Sequence, residues 1–358
     1  MNGSYRAIWL TESETLEVID QRTLPHRYDT MELRNTDETV YAIKEMVVRG
    51  AGTIGCVAAF GIYLAAQQSQ GNREALKVFA AQIRESRPTA VNLMWAVDRM
   101  MAALKQSDDL IADARRAAIA IVDEESERTQ KIGRHGADLI ENLYKHHGHK
   151  TINLLTHCNA GWLAVVNDGT ALAPVYEAQR RGVDIHVWVD ETRPRNQGAS
   201  LTAWELEQAG IAHTIIADNT GGHLMQHGMV DLVITGADRV TRQGDAANKI
   251  GTYLKALAAD ANHVPFYVAL PASTFDFSIK DGVKEIEIEE RSEDEVHFMH
   301  GLLDDGTTGR VRVTPEYSTA LNIGFDVTPN HLITGLITER GVCEASLEAV
   351  ETMFEDLL

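Results

Sequence analysis

TINLLTHCNAG, residues 151–161, joins a short apolar run to a cluster of small and polar residues. Such a run is too short for a core helix and reads as a strand buried on both faces. The texture recurs at DIHVWVD (184–190), HTIIAD (213–218), DLVITGAD (231–238) and VPFYVAL (264–270), with helical segments between them. One segment, TAWELEQAG (202–210), opens with the Thr202-x-x-Glu205 spacing of a capping box and stops at Gly210. Buried strands alternating with helices predict βαβ units and a parallel sheet covered on both faces. Sheets of that kind hold ligands outside the carboxyl ends of their strands.

The first third of the chain differs. YRAIWLTESETLEVIDQRTLP alternates apolar and polar residues and reads as a small hairpin. From Asp37 onward apolar residues fall at helical spacing, in DETVYAIKEMVV and IGCVAAFGIYLAAQQ and again over 73–85, 90–105 and 109–145. The chain is therefore an α/β protein, with a small N-terminal part of short sheet plus helices ahead of the parallel-sheet part.

Composition narrows the partners. A net charge of -19 repels nucleic-acid backbones and anionic membranes, so neither is expected. No apolar run is long enough to span a membrane, and MNGSYRAIWL resembles no targeting peptide. Cys56, Cys158 and Cys343 have no metal-type spacing, and an odd number of thiols suits a reducing, cytoplasmic location. A small phosphate ester remains compatible, provided a few cations are gathered locally.

Four polar clusters follow predicted strands. THCNAG (156–161) offers Cys158, whose thiolate a helix N-terminus would stabilise; inert packing is the alternative. DETRPRNQGAS (190–200) carries Arg193 and Arg195 for anions and Gln197 as a neutral donor and acceptor, or is a solvated loop. GADRV (236–240) places Asp238 either as a desolvated general acid or as a helix cap. GDAANKIGTY (244–253) supplies Asn248 and Lys249 for a phosphate or hydroxyl, unless the lysine is merely on the surface. ESRPTAVNL (85–93) adds Arg87, beside Pro88 at the entry to a helix.

VVRGAGTIG (47–55) matches G-x-G-x-x-G, but a dinucleotide turn needs a strand before it, and here the preceding segment reads as a helix. Two readings remain: a glycine turn between packed helices, or Arg49 with exposed backbone N–H groups as an anion site. His213, His223 and His227 lack a third ligand at metal spacing, and no Walker, triad or zinc signature is present. A phosphate site with one thiol and one carboxyl suits a sugar-phosphate isomerase or epimerase.

THCNAG, DETRPRNQGA, GADRV and GDAANKIGTY, in this order and with FDVTPNHLITGLITERGV (325–342), resemble the methylthioribose-1-phosphate isomerase family, relatives of the regulatory subunits of eukaryotic initiation factor 2B. The resemblance covers nearly the whole chain. It implies a mostly helical N-terminal domain with a small sheet over residues 1–130 and a Rossmann-like catalytic domain over residues 131–358. It further implies a homodimer, an aldose-to-ketose conversion of a sugar 1-phosphate, and no cofactor or metal. Carried over by position, Cys158 and Asp238 are the catalytic pair. Arg49, Gly50, Ala51, Arg87, Gln197, Asn248 and Lys249 hold the substrate. The sugar is expected to be 5-methylthioribose 1-phosphate, with 5-deoxyribose 1-phosphate or ribose 1,5-bisphosphate as alternatives. The regulatory subunits lack the cysteine–aspartate pair, which ranks a non-catalytic role low. Residues 296–324 depart most from the family and are expected to tune the C5 end of the sugar, with Arg310 and Arg312 as the cations a second phosphate would need.

Overall fold

The computed structural model describes residues 6–87 and 90–358; Pro88 lies outside them. Strands β1 (Ile8–Leu10), β2 (Leu16–Ile19) and β3 (Thr30–Leu33) form an antiparallel sheet in that order. The expected hairpin is β1–β2, and β3 extends it by pairing along β2. Five helices follow: α1 (Thr36–Lys44), α2 (Ala51–Gln68), α3 (Arg73–Arg84), α4 (Val91–Ala103) and α5 (Leu110–His146). Asn35, Asn72 and Asp109 cap α1, α3 and α5 by accepting first-turn N–H groups. Helix α2 is buried from Gly52 to Ala66, as its unbroken apolar sequence requires, and α1, α3, α4 and α5 pack around it. Helix α5 has 37 residues and also packs on later elements, so residue 130 falls inside a helix that serves both parts of the chain.

The second part begins with β4 (Ile152–Thr156), α6 (Ala173–Arg180), β5 (Ile185–Asp190), α7 (Ala203–Gln208), β6 (Ala212–Ile216), α8 (Thr220–Gln226) and β7 (Leu232–Thr235). It continues through β8 (Arg239–Thr241), β9 (Ala246–Lys249), α9 (Thr252–Ala261), β10 (Phe266–Ala269), β11 (Phe275–Asp276), α10 (Gly282–Glu285) and α11 (Asp294–His297). The last elements are β12 (Phe298–Leu302), β13 (Thr308–Arg312), β14 (Phe325–Thr328), β15 (Gly335–Thr338), β16 (Gly341–Cys343) and α12 (Leu347–Met353).

The main sheet runs β6-β5-β4-β7-β10-β15-β16. All its pairings are parallel except β15–β16, an antiparallel edge. Every apolar run that predicts a strand supplies one, and β4, β7 and β10 are almost wholly buried, as a sheet covered on both faces demands. Chain order reverses between β4 and β7: from β4 the chain moves outward through β5 to β6, then returns to β7 and continues the other way. That reversal opens the crevice in which Rossmann-like sheets bind ligands. A smaller sheet, β11-β8-β9-β14, begins directly beyond the carboxyl end of β7.

Candidate active site

A cavity opens at the reversal point. Arg49, Gly50, Ala51, Arg87, Cys158, Gln197, Asp238, Asn248 and Lys249 all line it, so the residues that the family resemblance carried over lie together there. The neighbouring pair of strands brings the chemistry together: Cys158 follows β4, and Asp238 follows β7.

Cys158 departs from expectation in one respect. The chain after β4 stays irregular until α6 begins at Ala173, so the expected helix does not start directly after Cys158. Cys158 instead holds a left-handed backbone (φ 66), a strained conformation for a side chain of its type. Its N–H donates to Thr192 Oγ1 (2.9 Å), and its carbonyl accepts from Thr202 Oγ1 (2.7 Å). Burial pushes the thiol pKa up, while Arg49 and Lys249 pull it down.

Asp238 caps no helix, because the chain passes from β7 straight into β8. Its backbone N–H donates to the Ala247 carbonyl (2.9 Å), which fixes it to β9. The side chain faces the cavity rather than bulk solvent, and burial raises its pKa against the pull of Lys249, Arg87 and Arg49. A carboxyl whose pKa is raised in this way holds a proton more readily and can donate it to a substrate.

Arg49 and Lys249 are buried, Arg87 is half-buried, and each is tied individually. Arg49 donates from Nη1 to Asn159 Oδ1 (2.5 Å) and from Nη2 to the Asn159 carbonyl (2.9 Å). Lys249 donates to the Gly324 carbonyl (2.8 Å) and lies 4.6 Å from the centre of the Phe325 ring. Burial lowers its pKa, readying it for a compensating anion. Arg87 sits 3.6 Å from Glu289, which a closer contact ties to Arg291 (2.7 Å). Asn248 donates to Thr252 Oγ1 (2.9 Å). Gln197 Oε1 is buried and has no hydrogen-bond partner among the described residues, so it is open to a donor such as a substrate hydroxyl.

The glycine motif is resolved by packing. Gly50 precedes α2 at φ 87, and a Cβ there would meet Ala164 Cα at 2.4 Å. Gly52 and Gly55 lie inside α2, against Val165 and the Asn92 carbonyl. The spacing thus lets α2 approach the 160–165 loop and α4. The N-terminus of α2 also opens on the cavity at Gly50, Ala51 and Gly52, a position from which its free N–H groups could meet an anion.

Three further expectations are corrected. Thr202 has helical dihedrals (φ -63, ψ -46) because a π-turn over Gly198–Thr202 runs directly into α7, so it cannot act as an N-cap. Arg193 donates to the carbonyls of Pro194 and Val296, and Arg195 pairs with Glu295 (2.8 Å). Neither lines the cavity; both tie this loop to α11. Residues 296–324 also stay outside the lining. Their β12–β13 hairpin pairs only with itself, Arg310 pairs with Asp294, and both Arg310 and Arg312 lie over Phe298. Only the Gly324 carbonyl, on Lys249, reaches the site. The cavity wall expected from that segment comes from Ile286, Glu287, Ile288, Glu289 and Phe325. The alternation Ile286-Glu287-Ile288-Glu289 is the sequence signal that could have found this strap.

Among the described residues, His157, Asp190 and Asp218 bring potential metal-ligand atoms within 4.8 Å of one another. All three are engaged otherwise. His157 directs Nδ1 at Asp190 (2.8 Å) and Nε2 at the Ile250 carbonyl (2.8 Å), and Lys255 Nζ lies 3.2 Å from Asp190. Asp218 accepts the N–H groups of Thr192 and Arg193. The lysine ammonium supplies the positive charge there, so the cluster serves as a brace under Cys158.

The fold and site define an α/β protein with a cation-lined cavity at the reversal point of a parallel sheet. Residues 47–345 match the model of the initiation factor 2 subunit family. Methylthioribose-1-phosphate isomerase of Sulfurimonas denitrificans is 64% identical over 99% of both chains, and that of Desulfosudis oleivorans is 54% identical over 98% of this chain and 97% of its own. Among solved structures, 5-methylthioribose 1-phosphate isomerase from Pyrococcus horikoshii superposes with a TM-score of 0.85 at 36% identity, over 98% of this chain and 96% of that one. Translation initiation factor eIF-2B subunit delta from A. fulgidus gives 0.83 at 37% identity, over 98% and 100%. The chain belongs to the initiation factor 2 subunit family and, within it, to the methylthioribose-1-phosphate isomerase family.

Proposed function

We propose that the chain converts 5-methylthioribose 1-phosphate to 5-methylthioribulose 1-phosphate, the aldose–ketose step of methionine salvage. One observation carries this reading: a buried thiol and a half-buried carboxyl share a cavity with four cations, Arg49, Arg87, Arg239 and Lys249. The names of relatives at 54–64% identity support the same activity. We further take the chain to act as a cytoplasmic homodimer without metal or organic cofactor, and to divide into residues 1–130 and 131–358.

Phosphate on C1 locks the sugar as a ring, so no free aldehyde is available. Arg49, Arg87, Lys249 and the N-terminus of α2 bind the phosphate. Gln197 and Asn248 take the hydroxyls. Asp238 gives its proton to the ring oxygen, and the bond from that oxygen to C1 breaks, leaving an oxygen-stabilised cation at C1. An anionic phosphate beside Cys158 and Asp238 raises both pKa values further, which disfavours the thiolate that a proton route would need. Hydrogen therefore crosses from C2 to C1 with its electron pair. The Asp238 carboxylate then takes the proton of the C2 hydroxyl, leaving a ketone at C2. The product is an isomer, and Asp238 returns to its starting state. Cys158 walls the C1–C2 region with a neutral, polarisable group that keeps water from the cation.

The non-catalytic reading is favoured by the match to the initiation-factor subunit of A. fulgidus. It leaves the acid and the buried thiol without a task. Incubation with 5-methylthioribose 1-phosphate, followed by NMR, decides between the two. Formation of the ketose supports the isomerase, and an unchanged aldose at high protein concentration supports the regulatory subunit.

A further inference from the structure

Glu205 lies on α7, is fully buried and lines no part of the cavity. Read from sequence as half of a capping box, it does something else. Oε1 accepts from Asn159 Nδ2 (2.8 Å) and Leu163 N (3.1 Å), and Oε2 accepts from Trp162 N (2.8 Å) and Tyr176 Oη (2.9 Å). The 159–163 loop is thus wrapped around one carboxyl group. Gly161 is part of the fit, since a Cβ there would lie 1.8 Å from Glu205 Oε2.

The contact with Asn159 reaches the site. An Asn amide has a donor end and an acceptor end, and only one orientation serves both neighbours. With Nδ2 turned to Glu205, and 3.2 Å from Thr202 Oγ1, Oδ1 is left to accept from Arg49. The reverse orientation would set NH2 against the guanidinium. We propose that Glu205 is a positioning residue: its carboxyl group fixes the amide of Asn159, which aims the Arg49 guanidinium at the anion in the cavity. The inference rests on the assignment of Arg49 to the substrate phosphate.

Burial pushes the Glu205 pKa up to about 7, against the four donors that favour its ionised form. Tyr176 is the titratable side chain among those donors, and the others are neutral. Both the acid and its anion can accept from Asn159 through Oε1, so the aim of Arg49 holds on either side of neutrality.

Glu205→Gln disturbs this arrangement with little change of shape. Each carboxyl oxygen meets one backbone N–H, so either orientation of the glutamine turns its NH2 against Trp162 N or Leu163 N. The loop carrying Asn159 then shifts. Inorganic sulfate, whose charge is constant with pH, is the probe. Calorimetric sulfate binding well below the unfolding temperature reports on Arg49 without relying on turnover, so failure of the isomerase assay and failure of this inference are separable. Glu205→Gln is expected to weaken sulfate binding by about ten- to a hundredfold, the worth of a hydrogen bond to a charged group. The same substitution in an Arg49→Gln background should cost nothing further. If Glu205→Gln does not fold, Asn159→Ala takes its place in the same cycle, with the same expectation. Wild-type sulfate affinity in a folded variant, or an equal loss with and without Arg49, overturns the inference.

Discussion

Cys158 and Asp238 leave the carboxyl ends of adjacent parallel strands, β4 and β7, whose register pairs Leu155 with Val233. These two strands flank the point at which the sheet reverses its order. The fold thus places a thiol and an acid on opposite sides of one crevice. Their shared environment also governs their chemistry: burial raises both pKa values against the pull of the cations around them, which favours the protonated form of each group.

That state sets the reactivity of Cys158. Alkylation by iodoacetamide should be slow at neutral pH and accelerate as pH rises, because the thiolate is the nucleophile. Inactivation should follow modification of Cys158 and be slowed by bound phosphate. Cys56 is buried, and Cys343 is held at a pKa of about 11, chiefly by burial. Peptide mapping beside residual activity checks the assignment; inactivation that follows Cys56 or Cys343 instead would refute it.

A protonated thiol also bears on the route of hydrogen. Turnover in D2O is expected to give ketose without solvent deuterium at C1, read by NMR. Deuterium at C1 in proportion to turnover would mean a proton route, with Cys158 as the base.

The pKa of Glu205 predicts a stability change with pH. Its folded value is raised from 4.5 to about 7 by burial, so the folded state holds a proton that the unfolded chain has released. The resulting stability is fully present below about pH 4.5 and is lost as pH rises through 7. The loss is about 3 kcal/mol for a fully buried group. Glu205→Gln has no such proton. Its urea stability relative to wild type should therefore improve by that order between pH 5 and 8, although it is less stable overall. A constant difference would remove the pKa shift from the account.

Substrate choice follows from the strap. Ile286 and Ile288 face the cavity together with Glu287, Glu289 and Phe325, while Arg310 and Arg312 stay on the outer hairpin. An apolar C5 group suits this wall, and a second phosphate meets carboxylates. Comparing kcat/KM should rank 5-methylthioribose 1-phosphate first and 5-deoxyribose 1-phosphate lower by about ten- to two-hundredfold, with ribose 1,5-bisphosphate last. A preference for the bisphosphate would contradict the reading.

Much of this was legible in the sequence, for physical reasons that also mark its limits. Strands β4, β5, β7 and β10 announce themselves because a parallel sheet buries both faces, and the polar clusters after them must lie at its ligand-binding end. What failed was the inference of side-chain partners from local pattern. Thr202 and Glu205 fit a capping box, yet Glu205 bonds residues 29 to 46 positions away. Arg193 and Arg195 stand in the right loop, but they turn outward to Val296 and Glu295. The 286–289 strap does alternate Ile and Glu, but that pattern marks one face as buried without saying which cavity the face lines. Periodicity reports burial, and partners across the fold are set by tertiary packing.

The central claim is that Asp238 is the acid that opens the ring, and steady-state kinetics of Asp238→Asn with 5-methylthioribose 1-phosphate tests it most directly. Asparagine keeps the shape and removes the proton. The account predicts a kcat lower by about two to four orders of magnitude, with KM changed by only a few fold. Turnover close to that of the wild type would contradict it and leave Asp238 a structural residue.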